Sequence, residues 1–264
     1  MKTAAALILL TLVPTTALVA QADLQPVPGT PQRWYFSPYT RIAGAALLTG
    51  ILLETDQQTY NTIHAWKMNN PSIKTLSPVV TQLGNGVFAV SLFGGMGAYS
   101  ILWKDEKALH VATLGLESFA FTGIACQILK QSFSRERPMA STRSGGFWSG
   151  PFAYFDKSRG HGKGIASFDA FPSGHTTTAF SVATVLSDAY DASWVPYVSY
   201  SFAGLVGVSR IMECEHWASD CFVGALLGYY GTKLVERWNT QSSPISIVPQ
   251  MHEHSLGLSF NAHL

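Results

Sequence analysis

The chain has 264 residues, of which 47% are apolar and 12% charged, and its formal net charge is +1. This length is enough for one substantial core, and the charged share is about half of what soluble domains usually carry, so much of the chain is buried in protein or lipid. The small net charge and the absence of a basic run argue against nucleic acid, or any other polyanion held by bulk charge, as a partner.

The first 22 residues have the layout of a secretory signal peptide. One lysine precedes an apolar stretch over residues 4–13, and residues 20–22 (AQA) offer a small-residue cleavage site. The apolar run is too short to span a bilayer comfortably, and a short membrane anchor is the alternative. The sequence therefore predicts a mature chain that begins at Asp23 and lies in the periplasm or cell envelope.

About six helices are predicted in the mature chain. The first is apolar over residues 37–53 and ends at the polar segment 54–56, and a break follows at residues 69–71 (NNP). Residues 86–103 carry no charge and form the best transmembrane candidate, at about the minimum length for a span. The remaining helices are predicted over residues 106–130, 174–190, 194–208 and 216–237.

The composition of these helices is compatible with a bundle in water and with a bundle in the membrane. Glu117 and Gln127 lie inside the helix predicted over 106–130, and a carboxylate in hydrocarbon costs several kcal/mol unless it is paired. We therefore interpret the chain as a secreted all-α bundle that contacts the membrane, with an integral membrane location as the alternative. The pattern predicts no particular oligomeric state.

Two segments fall outside the predicted helices. Residues 139–170 are rich in glycine and serine with scattered aromatic side chains, and their length is typical of a functional lid or mouth. Within residues 241–264, the stretches ISIV and SLGLSF show the alternation of apolar and polar residues that is typical of β-strands. This favours a short strand pair or a loosely attached tail. The predicted division is a signal peptide at 1–22, a helical domain at 23–240 and a tail at 241–264.

The cysteines predict no metal site and no disulfide framework. Cys126, Cys214 and Cys221 are odd in number, and their spacing does not match a zinc site. A Cys214–Cys221 disulfide in an oxidising compartment and three separate buried thiols are alternative interpretations.

Three segments carry groups suited to phosphate, and the first is KQSFSRERP. Its Lys130 and Arg137 are two helical turns apart, so a continuous helix would present both side chains on one face. Their long side chains could then converge on one anion beyond the helix end. The alternative is a solvated basic face that includes Arg135, and for this segment alone it is the stronger interpretation.

The second segment, PSGH, begins a predicted helix. Free backbone N–H groups and the positive end of the helix dipole favour an anion at such a start. Gly174 allows close backbone approach, the Ser173 hydroxyl can donate a hydrogen bond, and His175 can hold a proton near neutral pH. A helix cap beside a surface histidine is an equal alternative.

The third segment, SRIMECEHWASD, places His216 and Asp220 four residues apart, which stacks them on one face of a helix. The Asp220 carboxylate can then accept the Nδ1 proton and leave Nε2 as a nucleophile. Arg210 can clamp phosphate oxygens with its planar guanidinium. A polar pair that merely supports a helix is the alternative, and Glu213 and Glu215 are interpreted as loop residues.

Together the three segments resemble the signature of type-2 phosphatidic acid phosphatases. That signature is lysine, six residues and Arg-Pro, then Pro-Ser-Gly-His, then Ser-Arg, five residues, histidine, three residues and aspartate. The resemblance covers roughly residues 109–230, and the matching positions are Lys130, Arg137, Pro138, Pro172, Ser173, Gly174, His175, Ser209, Arg210, His216 and Asp220. It implies an all-α bundle of the phosphatidic acid phosphatase/haloperoxidase type and a two-step hydrolysis without metal or cofactor.

The resemblance also implies a role for each matching residue. It assigns the phosphate-binding role to Lys130, Arg137, Arg210, Ser173 and Gly174. His216 attacks phosphorus to give a phosphohistidine, Asp220 orients it, and His175 protonates the departing oxygen before water releases phosphate. The nucleophilic histidine must be neutral and the acid charged, so their environments must separate their pKa values.

Several functions remain open at this point. A lipid phosphate such as phosphatidate, or a polyprenyl diphosphate, fits the apolar composition and the aromatic residues between 147 and 155. A soluble phosphomonoester, as in a non-specific acid phosphatase, fits the predicted signal peptide. A vanadate-dependent haloperoxidase and a phosphate-headgroup binder without turnover are further alternatives. We favour the lipid phosphate, because the sequence around PSGH is nearer to lipid-directed members.

Overall fold

The computed structural model describes residues 38–141, 143–151 and 165–240, together with the backbone of residues 245–252 and 255–262. The predicted signal peptide and the middle of the predicted lid lie outside the described residues. The described part contains seven α-helices, which confirms the all-α class. They are α1 (Pro38–Asn69), α2 (Pro71–Thr81), α3 (Gly86–Trp103), α4 (Glu106–Phe133), α5 (Gly174–Ala189), α6 (Trp194–Met212) and α7 (Ala218–Thr240).

Helix α1 is much longer than predicted. It continues through the polar segment 54–56 and ends at Asn69, so the predicted end is wrong. The polar segment does not stop the helix because Asp56 is buried and accepts a hydrogen bond from Arg135. The predicted break at Asn70 is confirmed, and Pro71 there begins α2, the additional helix.

Three other boundaries differ in ways that shape the site. Helix α4 ends at Phe133, before Pro138, because Ser134 takes the left-handed conformation (φ 43°, ψ 59°). Helix α6 continues to Met212, and α7 begins at Ala218. Arg137 and His216 therefore lie in loops, and the prediction that Lys130 and Arg137 share one helical face is wrong.

Helix α5 lies at the centre of the bundle and contacts α4, α6 and α7. Ten consecutive residues from Thr176 to Val185 are buried, so the helix is covered on all sides. Its small side chains allow close packing against α7, where the hydroxyl groups of Ser181 and Thr232 lie 2.9 Å apart. Gly228 of α7 brings the two backbones together, since an added Cβ would lie 2.3 Å from the Thr177 oxygen.

Replacement of Gly228 by alanine is expected to destabilise the bundle by about 1–3 kcal/mol, because the contacted atom belongs to the backbone of α5 and cannot move aside cheaply. Thermal unfolding of the two proteins measures the effect. Gly123→Ala in α4 is the matched control, since an added Cβ there meets nothing within 4 Å of the described atoms. A helical glycine replaced in open space should gain about 0.5–1 kcal/mol. Equal effects of the two substitutions would contradict the close packing.

The surface of the bundle carries many exposed apolar side chains. Helices α3 and α4 are both long and apolar enough to cross a membrane, and their most apolar windows are 17% and 39% buried within the protein. Leu102 and Trp103 of α3 and Ile124 and Ile128 of α4 are more than 40% exposed. Glu117 of α4, the carboxylate expected to be costly in hydrocarbon, accepts a hydrogen bond from Asn239 at 2.7 Å. These helices support association with the membrane or envelope.

The chain ends in two antiparallel strands, β1 (Ile245–His252) and β2 (Ser255–Ala262), in which Ile245 pairs with Ala262. Their backbone pairing agrees with the predicted strand pair. The three cysteines are buried and free, so Cys214 and Cys221 do not form a disulfide within the described residues.

Candidate active site

The three predicted segments meet at one end of the bundle. The end of α4 supplies Lys130, the start of α5 supplies Ser173, and the last turn of α6 supplies Arg210. The backbone N–H of Ser173 donates to the Asp220 carbonyl at 3.0 Å, which ties the start of α5 to the start of α7. The loop before α7 carries His216 into the same region.

The start of α5 has the features of an anion site. Ser173 is the N-cap residue, and its hydroxyl accepts a hydrogen bond from Thr176 at 3.0 Å, which leaves the Ser173 proton for another acceptor. An added Cβ on Gly174 would lie 3.8 Å from Lys130 Cε, so the lysine side chain runs directly beside the helix start. Backbone N–H groups, a hydroxyl and an ammonium group therefore face one small volume.

Each of the three cations is paired with a carboxylate. Arg137 donates to Asp169 at 2.6 Å and to Glu215, and Arg210 donates to Glu213. Lys130 donates to the backbone carbonyl of Asp169, and its Nζ lies 3.9 Å from the carboxylate of that residue. The two glutamates were predicted only as loop residues, and the sequence pattern did not predict a role for Asp169.

One of these cations has an unsatisfied hydrogen-bond donor within the described residues. Arg210 is buried, and its Nε has no hydrogen-bond partner within the described residues. An unsatisfied buried donor on a charged group costs free energy, so this Nε favours an acceptor that would complete its hydrogen bonding. An oxygen of a phosphate group is such an acceptor.

His216 is oriented by a different partner from the predicted one. Its Nδ1 lies 2.7 Å from the carbonyl oxygen of Ala170 and 3.8 Å from Asp220 Oδ2. The predicted hydrogen bond to Asp220 is therefore wrong, because α7 begins after His216 and the two residues do not stack on one helix. Since a carbonyl only accepts, the neutral ring carries its proton on Nδ1 and its lone pair on Nε2.

Asp220 holds the turn that carries His216. One carboxylate oxygen, Oδ2, accepts the backbone N–H of Trp217 at 2.8 Å, and the other accepts from Arg135 at 2.6 Å. The Trp217 indole N–H donates to the Glu136 carbonyl at 2.8 Å. Trp217, the residue after His216, is thus held by hydrogen bonds from both its backbone N–H and its indole N–H.

The surroundings lower the pKa values of both histidines. Burial lowers the pKa of His216 well below its usual value, and the nearby charges of Lys130, Arg210 and Arg137 lower it further. Burial and the same three charges lower the pKa of His175 to about 4. The lowered pKa of His216 fits a nucleophile, whereas the lowered pKa of His175 runs against the charged form that was predicted for the acid.

Arg135 is a buried arginine that contacts Asp220, and the sequence pattern did not predict its burial. It was interpreted as part of a solvated basic face, but its side chain is 1% exposed. It lies between the rings of Trp148 and Trp217, at 4.7 and 5.2 Å from their centroids. Its acceptors come from distant parts of the chain, so the local pattern contains no signal for its burial.

Comparisons with known proteins identify a family and several relatives. Residues 112–243, half of the chain, match the model of the PAP2 superfamily. A lipid A 1-phosphatase of Rhizobium etli is 27% identical over 171 residues, which cover 60% of this chain and 67% of that protein. A lipid A 1-phosphatase of Rhizobium johnstonii is 26% identical over 212 residues, which cover 75% of this chain and 78% of that protein.

A solved structure shares the fold. It is the crystal structure of the first transmembrane PAP2 type phosphatidylglycerolphosphate phosphatase from Bacillus subtilis, with a TM-score of 0.52 and 18% identity. The alignment covers 76% of this chain and 96% of that one. The likeness extends over almost all of that protein and supports the all-α architecture described above.

Proposed function

We infer that this chain, which belongs to the PAP2 superfamily and is a phosphatase, hydrolyses the phosphate monoester or diphosphate of a lipid through a phosphohistidine at His216. The observation that carries this proposal is the orientation of the His216 ring. Its Nδ1 is held at 2.7 Å by the Ala170 carbonyl, so the lone pair of the neutral ring lies on Nε2. Three cations and the start of α5 surround the same site.

Substrate binding replaces carboxylates with phosphate oxygens. In our proposal Lys130, Arg137 and Arg210 hold the non-bridging oxygens, with help from the Ser173 hydroxyl and the backbone N–H of Gly174. The unpaired Nε of Arg210 gains an acceptor, and charge-assisted bonds of this kind are the strong ones. The developing charge on phosphorus is therefore met by donors that are already in place.

The first chemical step transfers the phosphoryl group to His216. Its Nε2 forms a bond to phosphorus while the ester P–O bond breaks, and His175 gives its proton to the departing lipid oxygen. In the second step water attacks the phosphohistidine and gives a proton back to His175. The N–P bond then breaks, and inorganic phosphate leaves with His216 neutral again.

Substrate binding also prepares the acid. Burial and the positive charges of Arg210, Lys130 and Arg137 lower the pKa of His175 to about 4. A phosphate dianion beside the same charges favours the protonated imidazole, so binding raises the pKa of His175. The acid therefore becomes charged only when a substrate is bound.

An aromatic cluster beside the site supports a lipid substrate. Phe133, Trp148 and Phe171 pack with ring centroids 5.1–5.8 Å apart, and Phe171 lies two residues before Ser173. Phe133 and Trp148 are 42% and 37% exposed, so they offer apolar surface to a hydrocarbon chain. Together with the exposed faces of α3 and α4, this favours a lipid over a soluble phosphomonoester. The names of the two Rhizobium relatives also support a lipid phosphate, and we propose the periplasm or cell envelope as the location after signal cleavage.

The test is phosphate release by the purified protein in detergent with EDTA present. The substrates are a soluble aryl phosphate, phosphatidate, a polyprenyl diphosphate and lipid A. We expect release in EDTA, with a higher kcat/KM for one of the lipids than for the aryl phosphate. A preference for the aryl phosphate would instead indicate a non-specific acid phosphatase. Halide oxidation that depends on vanadate and peroxide, without phosphate release, would indicate a haloperoxidase.

A further inference from the structure

A buried charge cluster lies directly behind the nucleophile. The Arg135 guanidinium donates to Asp220 Oδ1 at 2.6 Å, to Asp56 Oδ2 at 2.7 Å and to the Gly145 carbonyl at 2.6 Å. The side chains of Asp56 and Asp220 are both fully buried. One arginine from the loop after α4 therefore joins the middle of α1 to the start of α7.

The backbone of Arg135 reaches the other side of His216. Its carbonyl accepts the N–H of Ala170 at 3.1 Å, and the Ala170 carbonyl in turn lies 2.7 Å from His216 Nδ1. The side chain of Arg135 holds Asp220, which accepts the N–H of Trp217 next to His216. Arg135 is thus linked to the His216 ring through Ala170 and to the backbone next to His216 through Asp220.

Asp56 completes this arrangement from α1. Its Oδ1 accepts the backbone N–H of Ser219 at 3.1 Å, and its Oδ2 accepts both from Arg135 and from the Ser219 hydroxyl. Asp56 lies outside the residues 112–243 that match the family model. A helix outside the matched segment therefore contacts the turn that presents His216.

We propose that Arg135 and Asp56 are positioning residues for phosphoryl transfer, which hold His216 in its attacking geometry through Asp220 and Ala170. This inference rests on the proposed phosphohistidine mechanism. Neither residue belongs to the predicted phosphate-binding set, so their loss should lower kcat and leave the affinity for phosphate unchanged. A misplacement of a reacting group by about 1 Å can cost about 100-fold in rate.

The charges around Asp220 predict a pH dependence of activity, which gives a second test of the positioning role. The charged and titratable groups that interact with Asp220 are Arg135, Asp56, Lys130, His216 and Cys221. Burial, opposed by Arg135 and reinforced by the negative charge of Asp56, raises the pKa of Asp220 to about 7. Because the carboxylate form holds the turn best, activity should fall as the pH drops through this pKa.

Two substitutions should shift, in opposite directions, the pH below which activity falls. Arg135→Gln removes a positive charge next to Asp220 and should shift the acidic limb of the kcat/KM profile upward by about 1–3 pH units. Asp56→Asn removes a negative charge and should shift the limb downward. Ionisation of the substrate affects all variants equally and cancels in the comparison.

The experiment measures kcat, the inhibition constant of inorganic phosphate and the pH profile for wild type and variants. Arg135→Lys keeps the charge but not the planar fork, so we expect a kcat about 100-fold lower with the acidic limb unmoved. This variant also carries the test if Arg135→Gln does not fold. Thr232→Val is the control, since it removes a buried hydroxyl pair between α5 and α7 and should lower stability without changing kcat.

Defined results would overturn the proposal. Wild-type kcat and pH dependence in folded Arg135→Lys and Asp56→Asn would show that the cluster is only structural. Shifts of both acidic limbs in the same direction, or a weaker inhibition by phosphate with unchanged kcat, would also contradict it. Failure of the wild type to release phosphate from any substrate would overturn the proposed function, and this inference with it.

Discussion

Replacement of His216 by alanine is expected to abolish phosphate release and leave phosphate binding intact. The Nε2 lone pair of this ring is the proposed nucleophile, and the cations that bind phosphate belong to other residues. Loss of a nucleophile costs about 10⁴-fold or more in comparable hydrolases. The measurements are single-turnover release of labelled phosphate from the preferred lipid and the dissociation constant of inorganic phosphate, determined in a direct binding assay on both proteins.

The covalent intermediate gives a direct readout of the same prediction. After a rapid quench in base, in which a phosphohistidine is stable, label should remain on wild-type protein and be absent from His216→Ala. His110→Ala, an exposed histidine of α4, is the control and should keep both activity and label. Full turnover or retained label in His216→Ala would refute the assigned nucleophile.

Replacement of His175 by alanine is expected to cause a loss that depends on the leaving group. A lipid alkoxide is a poor leaving group and needs a proton, whereas an aryl oxide with a low pKa leaves without one. General acid catalysis contributes about 10²–10⁴-fold, so the loss on a lipid phosphate should be of that size. On p-nitrophenyl phosphate the first step should be almost unaffected.

The comparison is made on the same enzyme preparations with both substrates. Trapping of the phosphohistidine from p-nitrophenyl phosphate isolates the first step, because His175 also assists the second. Ser132→Ala is a control, since this exposed side chain donates to the Ile128 carbonyl within its own helix. An equal loss on both substrates in the first step would show that His175 binds phosphate and does not act as the acid.

Much of the site was predictable because its residue types follow from its chemistry. Phosphate needs cations and free N–H groups, and Lys130, Arg210 and the PSGH helix start lie together as the pattern predicts. Six of the seven described helices follow apolar runs that are visible in the sequence, and α2 is the additional helix that was not predicted. The errors are concentrated at helix ends, such as the end of α4 at Phe133 and the start of α7 at Ala218.

Those ends depend on contacts between distant residues. Helix α1 continues through Asp56 because Arg135 pairs with this carboxylate inside the protein. The two residues are 79 positions apart, so a short window of sequence does not reveal the pair. Spacing alone suggested Asp220 as the partner of His216. The actual partner, Ala170, is 46 residues away and contributes a backbone carbonyl, which any residue type supplies.

The helical class and the phosphatase class follow from the amino-acid sequence, since apolar periodicity and a set of phosphate-directed side chains are properties of residue identity and spacing. The groups that contact and orient those side chains became visible only in the folded arrangement of the chain. The hydrogen bond from His216 to Ala170, the carboxylates that balance the three cations and the burial of Arg135 all arise from packing separate helices together. Such contacts form only when chain segments far apart in sequence meet, and local patterns do not encode them.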